Sequence, residues 1–97
     1  MAKKELSINV IQKAAVTLKA IGHPVRLRII ELLDKHKEMS VTSLLEKIDV
    51  EQAVLSKHLA HLKKKGILNC SVNGNFRLYS IAYPNVVHVL NCMRTHG

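Results

Sequence analysis

The sequence is poor in the residue types on which several protein classes depend. Aromatic residues make up 3% of it and Trp is absent, so it lacks the stacking platform with which many RNA- and single-strand-binding modules hold bases. No apolar run approaches the length of a membrane span, and the N-terminus has no apolar signal-peptide core. Cys70 and Cys92 are too few for a disulfide framework. These absences predict a cytoplasmic protein without a membrane partner.

Catalytic motifs are missing as well. There is no Gly-rich phosphate loop, no paired-carboxylate cleft and no nucleophile with an accompanying base. The 97 residues suffice for one domain with a modest core. We therefore expect a single non-enzymatic domain, residues 1–97, with no cofactor.

Acidic residues are scarce in the second half of the chain. The net charge is +8, and residues 51–97 hold six Lys or Arg but one acid, Glu51. A basic balance of this kind can serve solubility alone, but it also favours a polyanionic partner, of which nucleic acid is the commonest.

Residues 49–68 contain the most informative pattern. Val54, Leu55, Leu59 and Leu62 recur at helical spacing and predict one apolar helix face. The other side presents Gln52, Ser56, Lys57, Ala60 and Lys63. Amides and hydroxyls can read base edges, and lysines bind phosphates. By itself the pattern fits equally an ordinary amphipathic helix with a basic surface.

The flanking segments favour the nucleic-acid interpretation. Helices are predicted at residues 4–20, from Pro24 to a closing segment at 35–38, at 41–47 with Ser40 as N-cap, and at 84–94. The helices at 41–47 and 51–65 are joined by a tight turn, and Gly66 ends the second. Together they have the outline of a helix-turn-helix.

A β-hairpin is predicted directly after this pair of helices. Asn73-Gly74 separates two apolar-rich runs, Ile67–Val72 and Asn75–Ile81, and Asn-Gly favours a type I′ turn with positive φ at both central residues. A hairpin in this position is a wing. The predicted fold class is mainly α with a small β-hairpin: a winged helix-turn-helix with about five helices and a two-stranded wing.

Three motifs resemble those of the ArsR-type winged-helix repressors of bacteria. Leu18 to Leu33 is similar to the family's Leu-x(5)-Pro-x-Arg-x-x-Ile-Leu entry into its second helix. Gln52 to Leu62 is similar to its recognition helix, Gln-Ser-x-x-Ser-x-His-Leu-x-x-Leu. Gly66–Leu68 and Gly74–Ile81 are similar to its wing. The resemblance covers nearly the whole chain.

The resemblance implies a dimeric, sequence-specific regulator of transcription. Its members are usually repressors that an inducer releases from an operator. Here the helix at 51–65 would read duplex DNA with an inverted repeat. Helices 4–20 and 84–94 are more apolar than surface helices should be, which predicts a homodimer surface. The alternative is that both helices close a monomeric core.

The resemblance also implies which side chains contact DNA. Gln52, Ser56 and Lys57 would face the groove, and His61, Lys63 and Lys64 would lie toward the backbone. The wing would contribute Asn73, Asn75 and Arg77. His58 borders the apolar stripe, so we expect a packing or hydrogen-bonding role for it.

Two departures from the family pattern keep a second function open. Glu51 stands where the family often has Ser, and Asn75 where it often has a wing-tip Arg. A carboxylate near phosphate would be repelled. The second hypothesis is therefore a winged-helix protein-interaction module that does not read DNA sequence.

One spacing in the last helix fits a metal site. The segment 39–48 has no cysteine, whereas His88, Cys92 and His96 follow at four-residue steps. A His–Cys pair of this spacing can hold zinc or copper. The alternative is a Cys92 that behaves as a small hydrophobe beside a surface His88. The inducer, whether a small molecule or a metal ion, stays unknown.

Overall fold

Five helices and one small sheet make up the computed structural model, which describes residues 5–96 and the side chains of residues 5–94. The elements are α1 Ile8–Ile21, α2 Pro24–His36, β1 Glu38–Ser40, α3 Val41–Lys47, α4 Gln52–Lys64, β2 Leu68–Asn73, β3 Phe76–Ile81 and α5 Asn85–His96. The predicted fold class is confirmed. None of the helices in the described part of the chain is long and apolar enough to cross a membrane.

The core lies between α2, α3, α4 and the sheet. Aliphatic side chains fill it, as the scarcity of aromatics predicts. Tyr79 is the one aromatic residue among its buried members. The fully buried side chains of at least Val size are Ile21, Ile29, Ile30, Leu33, Leu44, Leu55, Leu59, Leu62, Ile67 and Val86. The described residues include no buried charged side chain.

Local signals set the ends of two helices as predicted. Pro24 opens α2, and the Nδ1 of His23 caps it by accepting from the Val25 N–H at 3.1 Å. At the end of α4, Gly66 has a φ of 76°. The Ile67 N–H there donates to the Leu62 carbonyl at 2.9 Å. This is the Schellman arrangement, in which glycine adopts the positive φ without steric cost.

The sheet contains a third strand that the sequence did not predict. The strand order is β1-β3-β2 and both pairings are antiparallel. Met39 of β1 lies opposite Tyr79, and Cys70 of β2 lies opposite the same residue. β1 has three residues, which is too short for an alternating pattern to be recognised.

The turn of the wing is displaced by one residue from its predicted place. Asn73 pairs with Phe76, so the two central residues are Gly74 and Asn75, not Asn73 and Gly74. Gly74 has a φ of 63°, whereas the φ of Asn75 is not positive. A type II′ turn has a positive φ only at its first central residue, which is usually glycine, whereas a type I′ turn has a positive φ at both. The type I′ prediction was therefore wrong.

α1 begins later than predicted, and its buried residues lie only at its C-terminal end. The prediction began at Lys4, which lies outside the described residues. The observed helix begins at Ile8, and Ser7 caps it by accepting from the Val10 N–H at 3.3 Å. Its buried residues are Ala20 and Ile21. The exposed large apolar residues in and before α1 are Leu6, Ile8, Val10, Ile11, Val16 and Leu18.

Lys37 occupies a strained position between α2 and β1. Its φ of 70° and ψ of −48° are costly for a residue with a Cβ, and its N–H is held by the Leu33 carbonyl at 2.9 Å. Lys37→Gly should therefore raise the free energy of unfolding by about 0.5–1 kcal/mol, measured by chemical denaturation. The control Lys35→Gly, in the last turn of α2, should lower it by up to about 1 kcal/mol. A decrease in stability in Lys37→Gly would contradict the strain.

Candidate nucleic-acid interface

α4 is fixed by one narrow apolar stripe and exposes the rest of its surface. Leu55, Leu59 and Leu62 are each 0% exposed. The exposed residues of the helix are Gln52, Ala53, Val54, Ser56, Lys57, Ala60, Lys63 and Lys64. No carboxylate lies between Gln52 and Lys65, so the polar groups of the exposed surface are amide, hydroxyl and ammonium groups.

The wing side of α4 brings three predicted site residues together. Gln52, Asn75 and Arg77 line one groove of about 240 Å³, with Ser40 and Thr42 at the start of α3. Amide, guanidinium and hydroxyl groups here can donate to phosphate or base-edge oxygens. Asn73 is exposed at the end of β2, next to the turn.

Ser40 and Thr42 are candidate contacts that the sequence analysis missed. Ser40 was predicted only as the cap of α3, and it does accept from the Ser43 N–H at 3.1 Å. Thr42 is exposed. Their place at the N-terminal end of a helix, which attracts anions, could have indicated them from the sequence.

Val54 was assigned to the apolar face, and that assignment was wrong. Its side chain is 39% exposed. A position next to Leu55 is rotated by about 100° around a helix, which takes Val54 out of the narrow stripe. If α4 enters the major groove of DNA, an exposed valine on it can contact the methyl group of thymine.

His61 lies on the other edge of α4. It is half-buried and lines a groove with Arg26 and Lys65, between α1, α2 and α4. Burial, followed by the nearby charges of Arg26, Lys65 and Lys64, lowers the pKa of His61 below 6.5. Lys57, Lys63 and Lys64 are exposed and make no ion pair within the described part of the chain. These three lysines are open to a phosphate backbone.

His58 has a structural role, as predicted. Its Nδ1 accepts from the Arg26 Nε–H at 3.0 Å, and its ring lies 4.4 Å from the ring of His23. Burial, then the neighbouring His23 and Arg26, lower the pKa of His58 below 6.5. His58 therefore joins α4 to the start of α2 in its neutral form, because only an unprotonated Nδ1 can accept a hydrogen bond.

Glu51 precedes α4 and is exposed. It is the N-cap residue, yet its side chain makes no capping hydrogen bond. Its carboxylate therefore stays at the helix N-terminus, where the helix dipole favours it, next to Gln52.

The metal candidates His88 and Cys92 are both exposed on α5. Among the side chains that the structure describes, residues 5–94, no cluster of three or more His, Cys, Asp or Glu could hold a metal ion. The side chain of His96, the third member of the predicted series, lies outside the described residues. A site completed by a second copy of the chain stays a prediction.

The fold and the exposed α4 face define a winged helix-turn-helix DNA-binding domain, and the comparisons with known proteins agree. The family model of a helix-turn-helix domain matches residues 21–71. An uncharacterized HTH-type transcriptional regulator of Methanocaldococcus jannaschii is 34% identical over 79 residues, which is 81% of this chain and 89% of that protein. The transcriptional activator HlyU of Vibrio cholerae is 36% identical over 75 residues, 76% of this chain and 68% of HlyU.

The transcriptional repressor PagR of Bacillus anthracis is similar in both sequence and structure. It is 33% identical over 79 residues, which is 81% of this chain and 79% of PagR. Its crystal structure superposes with a TM-score of 0.81 at 30% identity, covering 90% of this chain and 99% of the PagR chain. The chain therefore belongs to the ArsR-type family of winged helix-turn-helix transcriptional regulators. It is a DNA-binding regulator and not an enzyme.

The His58 contact predicts a pH dependence of stability. The pKa of His58 is lowered in the folded protein. As the pH falls toward 6.5 and below, the unfolded chain therefore binds more protons than the folded protein does. The free energy of unfolding should therefore decrease when the pH is lowered from 7.5 to 5.5. His58→Gln keeps an acceptor for Arg26 but does not titrate, so its free energy of unfolding should fall less over this range in urea denaturation. An unchanged pH dependence would contradict this role.

Proposed function

We propose that the protein is a dimeric transcriptional repressor that reads an inverted repeat in duplex DNA with α4. The observation that carries the proposal is the exposed, carboxylate-free face of α4, whose first turn shares a groove with the wing. A rigid helix bearing amide, hydroxyl and ammonium groups suits the major groove, where the base-edge code can be read.

The proposed contacts divide by chemistry. Gln52 and Ser56 read base edges, and Val54 adds an apolar contact to a thymine methyl group. Lys57, Lys63, Lys64 and the wing residues Asn73, Asn75 and Arg77 hold the sugar-phosphate backbone. His61 is proposed as a backbone contact at the opposite edge of α4.

A homodimer is proposed because α1 leaves too much apolar surface uncovered. Among its apolar residues, Ile8, Ile11, Ala15 and Leu18 recur at steps of three and four and all are exposed. Such a stripe, on a helix whose buried residues lie only at its C-terminal end, fits a second copy of the chain. Met93 on α5 is exposed as well. Two-fold symmetry would present two α4 helices to half-sites about 34–36 Å apart.

Repression is proposed because PagR, which is similar in both sequence and structure, is named a transcriptional repressor. HlyU is named an activator, so the sign of regulation is part of the proposal. The proposed place of action is the cytoplasm, where two cysteines without a disulfide framework are expected.

Selection from random duplex DNA tests whether sequence is read. The purified protein should enrich an inverted repeat. Gln52→Ala or Ser56→Ala should then reduce discrimination at one position of each half-site by about 1–3 kcal/mol. Lys63→Ala and Lys64→Ala should instead weaken all sequences alike. Each should reduce the slope of log affinity against log salt by about 0.9 for every phosphate that the lysine neutralises.

Two results would count against this assignment of roles. If the substitutions of Gln52 or Ser56 and those of the lysines change sequence preference equally, then the two sets do not divide into base-reading and backbone-binding residues. If the unaltered protein enriches no sequence and shows only salt-sensitive bulk binding, the winged-helix protein-interaction module becomes the better account, consistent with Glu51 and Asn75 at the interface.

Sedimentation tests the homodimer. The parent protein should sediment as a dimer at micromolar concentration. Ile11→Glu should shift it to a monomer and weaken binding to the enriched repeat by at least about tenfold, because the two half-sites are then bound independently. Gln12→Glu, which places the same carboxylate on a neighbouring exposed residue, should leave the dimer intact. A monomeric parent protein would remove the claim.

A further inference from the structure

A second groove lies on the side of α4 that faces away from the wing. It is bounded by α1, α2 and α4 and has a volume of about 510 Å³. Its lining residues are Val16, Lys19, Ala20, Arg26, His61 and Lys65. Grooves of about 300–1,000 Å³ are the usual size for small-molecule sites.

Positive charge converges on this groove. Lys19, Arg26 and Lys65 come from three different parts of the chain, and the lining residues that the structure describes include no Asp or Glu. The ion pairs within the described residues involve Arg28, Lys37 and Arg94 instead. The charges reach His61, whose pKa is lowered by burial first and then by Arg26 and Lys65. The arrangement therefore favours an anion.

Arg26 is held in place before any ligand arrives. Its Nη1 donates to the Ala20 carbonyl at 2.8 Å and its Nε donates to His58 at 3.0 Å. A guanidinium has five N–H donors, so further donors remain for a ligand. An immobilised guanidinium loses little conformational entropy on binding, and its planar fork matches carboxylate or phosphate oxygens.

The remaining wall of the groove is apolar. Val16 of α1, whose side chain is 53% exposed, supplies its methyl groups beside the charged residues. A bare inorganic anion would leave this wall in water, whereas an organic anion would cover it.

We propose that the groove between α1, α2 and α4 binds a small organic anion, a carboxylate or phosphate ester with a short apolar body. Arg26 holds the anionic group, with Lys19 and Lys65 on either side and His61 as an additional donor. The apolar body lies against Val16. Such a ligand connects α1 to α4, so any effect that it has on DNA affinity must be matched by an equal effect of DNA on ligand affinity.

The test is a titration of ¹⁵N-labelled protein without DNA, at constant pH and ionic strength, with phenyl phosphate and with benzoate. At least one probe should give saturable NMR shifts centred on Lys19, Ala20, Arg26, His61 and Lys65. Its dissociation constant should be at least about fivefold lower than that of inorganic phosphate, since the phenyl group covers the apolar wall. Because no DNA is present, the result is independent of the proposed function.

Charge-matched variants show whether the groove is the site. Lys19→Gln combined with Lys65→Gln should weaken binding of the probe by about tenfold, because two charge-assisted hydrogen bonds are removed. Lys35→Gln combined with Lys47→Gln removes the same charge elsewhere on the surface and should leave binding unchanged.

Three outcomes would overturn the proposal. Absence of saturable shifts for both probes would mean that the groove binds no organic anion. If both double variants bind the probe equally weakly, the effect comes from the net charge of the protein and not from the groove. Equal affinity for inorganic phosphate and for the organic probes would assign the groove to a bare anion, such as a backbone phosphate of duplex DNA.

Discussion

The burial of Leu55, Leu59 and Leu62 is the interaction on which the rest of the structure depends. These three side chains, each 0% exposed, hold α4 in a core to which α2, α3 and the sheet also contribute. Removing one buried leucine costs about 2–5 kcal/mol in a packed core, so α4 cannot turn about its axis without losing most of the domain's stability. Every other face of α4 is thereby fixed.

This fixed helix has two chemically different edges. One edge meets the wing and the start of α3, where Gln52, Asn75 and Arg77 share a groove. The other edge meets α1 and α2 through His58, His61 and Arg26. The polar contact between His58 and Arg26 orients the guanidinium as well as the helix. A change at the second edge therefore acts on the same rigid element that carries the proposed DNA contacts.

α1 stands apart from this compact arrangement. Its last residues, Ala20 and Ile21, belong to the core, whereas the apolar residues before them are exposed. A helix of 14 residues is marginal in water without tertiary packing. α1 therefore needs further packing to be stable, and in the proposed homodimer a second chain would supply it by covering the exposed apolar stripe.

Much of the fold and part of the site could be predicted from the sequence, because they depend on local chemistry. Periodicity placed five helices, Pro24 and Gly66 set two helix ends, and the position of His58 beside the apolar stripe indicated its structural role. Most of the proposed DNA contacts were also predicted from residue type and from the resemblance. The sequence did not predict that residues would group along two different edges of α4.

Tertiary structure alone decided what depends on residues distant in the chain. β1 exists because Met39 pairs with Tyr79 on a strand far along the sequence. The register of the hairpin moved the turn to Gly74 and Asn75, and the packing of α4 left Val54 exposed. Arg26 and His58 meet across 32 residues, and Lys19 and Lys65 line one groove from opposite halves of the sequence. A sequence pattern shows which face of each helix is buried, but the packing of the helices determines which of their edges meet.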